Sequence, residues 1–119
     1  LFIHIRLDDA IKHNVGINYY LKCIKKISFD KIYIASDSLN HEMIKKLKDE
    51  YPCIILIDYN PVMTIQFGSA CKYISLSHGT FSAVIGYLGF FSNIYYPSEL
   101  ANNWTLGLFT NKSWTGISK

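Results

Sequence analysis

Arg6 is the only arginine in a chain that otherwise carries its positive charge on eleven lysines. It closes the stretch Leu1-Phe2-Ile3-His4-Ile5-Arg6-Leu7-Asp8-Asp9, in which apolar residues alternate with His4 and Arg6 before two aspartates break the pattern. A planar, permanently charged guanidinium grips a phosphate or carboxylate with a fork that lysine cannot reproduce. Two readings of Arg6 are open on the strand alone: a grip on an anionic ligand, or a structural pairing with Asp8 or Asp9, since buried ionic groups are usually paired. His4 points the same way more weakly, because a strand histidine is more often a core or edge residue than a ligand.

A second candidate lies at Ser77-His78-Gly79-Thr80-Phe81-Ser82. Here a strand-like run passes through a glycine directly into a helix-like one. Gly79 lets backbone approach a ligand. The helix start offers free N–H groups and a partial positive charge, and the Ser and Thr hydroxyls add donors. The structural alternative is an ordinary Ser/Thr helix cap. Asp37, in Ser36-Asp37-Ser38, is either a cap or a site residue, and Asp58 to Asn60 forms a further strand exit. His13 and His41 read as surface residues.

The elements that must position these residues follow from periodicity. Residues 2–6 read as a strand, and the loop from Asp8 to Gly16 carries the turn residues Asn14 and Gly16. Ile17, Tyr20, Leu21, Ile24 and Ile27 recur at helical spacing, with Lys22, Lys25 and Lys26 off that face. Residues 32–35 predict a second strand. A second helix carries Met43, Ile44 and Leu47 inward, capped by Asp37, Ser38 or Asn40 and stopped by Pro52. Cys53 to Ile57 is apolar throughout, as in a central parallel strand covered on both faces. Asn60-Pro61 is a cap followed by a first-turn proline, opening a helix to about Cys71. Residues 73–76 predict a strand, Thr80 to about Phe90 a helix, and residues 93–96 a strand closed by Pro97.

The resulting β-α-β-α-β-α-β-α-β order predicts an α/β fold, a Rossmann-like parallel sheet with helices on both faces. Residues 1–97 are read as this domain and 98–119, aromatic and polar, as a C-terminal tail. Ligands of such sheets bind at the carboxyl ends of the strands, which is where Arg6 and the Ser77–Ser82 stretch both fall.

Composition narrows the function classes. The 119 residues are half hydrophobic and 18% charged, enough for one filled core. A formal charge of +3, spread along the chain, favours an anionic ligand mildly and is not a nucleic-acid footprint. Cys23, Cys53 and Cys71 form no CxxC pair. Cys53 and Cys71 sit in apolar surroundings and read as buried thiols. No apolar run approaches the ~18 residues of a membrane-spanning helix. No DxD, GxGxxG, P-loop, HExxH or GxSxG motif occurs. The sequons Asn103-Trp104-Thr105 and Asn111-Lys112-Ser113 lie in the tail. Because the chain begins inside a strand, a preceding N-terminal part is expected.

His4-Ile5-Arg6 followed at the right distance by Asp9 resembles the HxRxxD signature of the fucosyltransferase superfamily. The order continues like the α-1,2 branch (the family 11 type), which is related to the α-1,6- and protein O-fucosyltransferases. Tyr19-Tyr20 with Cys23-Ile24 resembles its YYxxAI helix, and Ile34-Ala35-Ser36-Asp37-Ser38 its FSDD exit. Cys71-Lys72 resembles its CKH segment, and Thr80-Phe81-Ser82 the core of NSTFSWWGAWL, with Tyr87-Leu88 where AWL falls. The chain departs from the pattern at Asp8, which stands where glycine is usual. It departs again at Thr64, where an acidic residue is frequent, at His78-Gly79 in place of Asn-Ser, and at Ala83-Val84 in place of paired tryptophans.

The resemblance implies the C-terminal, donor-binding half of a two-domain GT-B glycosyltransferase. The N-terminal half of the same protein would complete it and supply acceptor contacts. Arg6 would neutralise the β-phosphate of the leaving nucleoside diphosphate, with His4 and Asp9 supporting that pocket. Ser77, His78, Gly79, Thr80, Phe81 and Ser82 would hold the pyrophosphate, with Asp37 near the donor. The implied reaction is inverting transfer of fucose from GDP-fucose to a glycan acceptor, with no metal or other cofactor and no nucleic-acid partner. Another nucleotide sugar as donor, or a non-catalytic nucleotide- or sugar-binding module, are the alternatives.

Overall fold

The computed structural model describes residues 1–8, 14–100 and 111–119. Its elements are β1 (Phe2–Ile5), α1 (Ile17–Lys26), β2 (Ile32–Ser36), α2 (Glu42–Glu50), β3 (Ile54–Ile57), α3 (Pro61–Ser69), β4 (Tyr73–Ser75), α4 (Thr80–Leu88), β5 (Asn93–Pro97) and β6 (Thr115–Ile117), with a 3-10 turn at Ser98–Leu100. All strand pairs are parallel and the sheet order is β3-β2-β1-β4-β5-β6. The fold is therefore α/β and Rossmann-like, as the alternation predicts. The chain steps outward from β1 to β3, returns to lay β4 against β1, and steps outward again. That reversal puts a switch point between β1 and β4, where the two exits diverge and leave a crevice.

Right-handed crossovers place α1 and α2 on one face of the sheet and α3 and α4 on the other. Two cores follow. Tyr20, Ile24, Ile44 and Leu47 pack on Ile3, Ile5 and Ile34. Ala83 and Ile85 pack with Phe2, Ile74, Leu76 and Ala35. The period of two along β1 thus sends Ile3, Ile5 and Leu7 to the first core and Phe2 to the second. His4 and Arg6, in step with Phe2, are directed toward the α3–α4 side.

Four expectations are corrected. The apolar run of β3 lies at the sheet edge, not its centre, and Ile55 there is 42% exposed. An unbroken apolar run reports burial of its ends, Ile54 and Ile57, but not how many neighbours the strand has. Helix α2 is capped by His41, whose Nδ1 accepts from the Met43 N–H at 3.1 Å, rather than by Asp37, Ser38 or Asn40. Cys53 is exposed in the turn before that edge strand and Cys71 is half-buried, so Cys23 is the buried thiol. Finally, the segment read as a tail enters the sheet: β6 pairs with β5, and Trp114, only 8% exposed, packs its ring 4.8 Å from that of Tyr87. Of the two sequons, residues 111–113 form a turn in which Asn111 Oδ1 accepts from the Ser113 N–H and hydroxyl. The other lies outside the described residues.

Candidate functional site

His4 and Arg6 reach the crevice because β1 ends there. His4 is buried, with its ring 5.1 Å from that of Phe81 at the start of α4. Burial pushes its pKa down to about 4, opposed by Asp37 and reinforced by Arg6 and His78. The ring is therefore neutral at neutral pH. Its Nδ1 has no hydrogen-bond partner among the described residues, an uncommon state for a buried polar atom.

Arg6 is half-buried and lies over Gly79. A Cβ built on Gly79 would run into Arg6 Nη1, with Cζ at 3.4 Å and Cδ at 3.5 Å. Gly79 has φ 95° and ψ 162°, a region open in practice to glycine alone. Glycine at this position thus meets two demands at once, an unusual backbone turn and close approach of the guanidinium. As the N-cap of α4 it supplies no side-chain acceptor to the first turn, unlike His41 on α2, through its Nδ1, and Asn60 on α3, through its Oδ1.

The loop beneath is held by buried hydroxyls. Tyr19 on α1 donates to the Leu76 carbonyl at 2.8 Å, and Tyr20 donates to Ser77 Oγ at 3.1 Å. The same oxygen accepts the Arg6 backbone N–H at 3.2 Å, which ties β1 to β4 across the switch point. Ser77 in turn donates its N–H to Ser82 Oγ at 2.7 Å, and its hydroxyl lies 3.3 Å from His78 Nδ1. Ser77, His78 and Ser82 are fully buried. Their side chains build the loop rather than line its surface, so the Ser77 and Ser82 hydroxyls expected as anion donors are already engaged. The first turn of α4 carries its backbone N–H groups and the exposed Thr80 hydroxyl, and the Arg6 guanidinium lies beside them.

A cleft of about 480 Å³ opens from this corner. At one end it is lined by His4, Arg6, Asp8, Asp37 and Phe81, and elsewhere by Ala35, Ile57, Tyr59 and Pro61, with Asp58 and Thr64 at its wall. One end is thus polar and charged, with Arg6 beside the carboxylates of Asp8 and Asp37, and the other offers the apolar and aromatic surface of Ile57, Tyr59 and Pro61. Asp37 has a positional task as well: its Oδ1 accepts the Leu7 N–H at 2.8 Å and its Oδ2 the Asp8 N–H at 3.2 Å. It therefore pins the chain leaving β1. Thr64 Oγ1 donates within its own helix start, to the Asn60 and Tyr59 carbonyls.

The structure brings His4, Arg6, Asp37 and Phe81 to one cleft, sets Gly79 and Thr80 beside Arg6 and puts Ser77, His78 and Ser82 behind it. Asp9 lies outside the described residues. Tyr59 lies within the Asp58–Asn60 strand exit read from sequence, whereas Ile57 and Pro61 on either side of it were not singled out as binding residues. Their signal was positional, a third strand exit on the same sheet edge. Gly16, read from sequence as a turn residue, starts α1 with φ 80° and ψ 155°, nearly the conformation of Gly79. Among the described residues no group of three His, Cys, Asp or Glu converges on a metal position. No family model, curated protein or solved structure matches the chain.

Proposed function

We propose that this chain is the donor-binding domain of a fucosyltransferase-like glycosyltransferase, and that its cleft receives a nucleoside diphosphate sugar. The observation that carries the reading is Arg6 laid over Gly79 at the uncapped start of α4, opening into a cleft whose far end is aromatic and apolar. A bare anion would need only the first part of that arrangement. A nucleotide uses both, with its diphosphate at the helix start and guanidinium and its base against Ile57, Tyr59 and Pro61.

When a glycosyl donor departs, negative charge builds on the diphosphate. Donors fixed at that place before reaction stabilise the transition state more than the ground state. Arg6 is held for this by the Ser77 clamp on its backbone and by the glycine beneath it. His4, neutral and buried beside it, can donate or accept one hydrogen bond without adding charge. The acceptor and the base that deprotonates it belong, in this reading, to another part of the protein. GDP-fucose is the donor implied by the HxRxxD-like stretch, with inverting transfer to a glycan.

Calorimetric titration of the chain with GDP, UDP, GDP-fucose and inorganic pyrophosphate tests the reading. Nucleoside diphosphates are expected to bind more tightly than pyrophosphate. Arg6→Ala should weaken them by ~1.5–3 kcal/mol, roughly 10- to 150-fold, and Arg6→Lys should restore little of this. If no nucleoside diphosphate binds, or Arg6→Ala binds like wild type, the assignment fails.

A further inference from the structure

The two faces of the sheet differ in a way the cleft does not explain. Helix α2 carries Glu42, Lys45, Lys46, Lys48, Asp49 and Glu50 outward, as a solvated helix does. From Tyr59 to Ser98, Lys72 is the only Lys, Arg, Asp or Glu. Helix α4 buries Ala83, Ile85 and Gly86 against the sheet and turns Val84, Tyr87 and Leu88 outward, 42–46% exposed. In the turn that follows the helix, Phe91 is wholly exposed and the adjacent Phe90 is 79% exposed, which extends the apolar surface beyond the end of α4. A helix apolar on all sides is normally covered on all sides. Helix α3, packed beside α4, adds Val62 and Met63, 64% and 47% exposed.

We infer that this face is a dimer interface, in which the α3–α4 side of one copy meets the same side of a second copy about a two-fold axis. Two observations select that occupant. Counting ~200 Å² per aromatic side chain weighted by its exposure, Tyr87, Phe90 and Phe91 alone offer roughly 450 Å². Val62, Met63, Val84 and Leu88 bring the face toward the ~800 Å² share per partner of a standard interface and the upper range of the largest patch on a monomer. A two-fold contact also sets each residue against copies of itself and its neighbours. Charged stripes such as that of α2, which mixes both signs, match their copies only in particular registers, whereas an uncharged apolar stripe meets its own complement. The two α4 helices would cross antiparallel, with Leu88 and Phe91 of one against Val84 and Leu88 of the other. This inference stands apart from the nucleotide reading, because Leu88 and Phe91 line no part of the cleft.

Sedimentation velocity of the chain from 1 to 200 μM tests it, beside Leu88→Glu and, in the turn, Phe91→Ser. Wild type is expected to move reversibly from one to two chains across that range. Each variant should keep the wild-type circular dichroism spectrum and raise the dissociation constant by more than about 30-fold. A wild-type monomer at 200 μM overturns the inference, as does open-ended aggregation without a dimer boundary. A dimer undisturbed by either substitution assigns the contact to another face. Capture of monomers by phosphatidylcholine vesicles would identify a lipid surface as the occupant and overturn the dimer.

Discussion

Replacing Gly79 by alanine separates the two tasks that this glycine performs. The added methyl must adopt φ near 95° and ψ near 162°, a region that costs a residue with a Cβ on the order of 1–3 kcal/mol. It also enters the space of the Arg6 guanidinium, with Cζ at 3.4 Å and Cδ at 3.5 Å. The side chain can swing away, since its contacting end is flexible, so the collision acts on Arg6's position more than on folding. The strain should lower the melting temperature by about 3–18 °C, at ~3–6 °C per kcal/mol for a chain of this size.

Gly16→Ala supplies the control. Gly16 has φ 80° and ψ 155°, so it bears a like strain, but nothing lies within 4 Å of its Cβ position. Both variants should lose comparable stability in a urea titration, while only Gly79→Ala should lose affinity for GDP, by about tenfold or more in calorimetry. Equal GDP affinity in wild type and Gly79→Ala would refute the claim that Arg6 works from its place over this glycine. Wild-type stability in Gly16→Ala would refute the strain argument itself.

The buried His4 makes stability depend on pH. Its folded pKa of about 4 lies below the ordinary 6.5, so between those values the unfolded chain binds more protons and stability falls as the medium is acidified. Its share is ~3 kcal/mol between pH 6.5 and 4, and it should disappear in His4→Phe; parallel pH–stability curves for the two proteins would show that His4 is not buried neutral. Tyr20→Phe removes the donor to Ser77 Oγ, whose other donor is the Arg6 N–H. Burial pushes the Tyr20 hydroxyl pKa well up, so it stays a donor at all ordinary pH, and its loss should cost ~1 kcal/mol in urea unfolding. An unchanged midpoint would mean that the clamp across the switch point holds nothing.

Local signals were legible where local chemistry decides the outcome. Asn60-Pro61 starts α3 as read, because a cap and a first-turn proline act within a few residues: Asn60 Oδ1 accepts from Met63 N–H at 2.9 Å. The alternation in β1 placed His4 and Arg6 on one side for the same reason. What composition could not carry was neighbourhood. The apolar run of β3 looks central whether it has one neighbour or two. Strand β6 is Thr-Gly-Ile, too short and too polar to announce itself, and exists through its pairing with β5. Ser77 and Ser82 have the composition of anion donors, yet Tyr20, from a helix more than fifty residues earlier in the chain, converts the first into part of a buried clamp.

The helix starts show the same division at the level of the whole sheet. The two helices capped by a side chain, α2 and α3, follow β2 and β3. The two that start on a positive-φ glycine with no side-chain cap, α1 and α4, follow β1 and β4, the strands that flank the switch point. A cap satisfies the first N–H groups from within, and its absence leaves them for something else. Sequence shows four plausible helix starts of similar quality. Only the strand order shows that the two uncapped ones follow neighbouring strands, with the chain's one arginine between β1 and α4. That coincidence of topology, missing caps and a lone guanidinium is a stronger argument for an anionic ligand than any of the three alone, because structural needs would account for each separately but give no reason for them to meet at one corner.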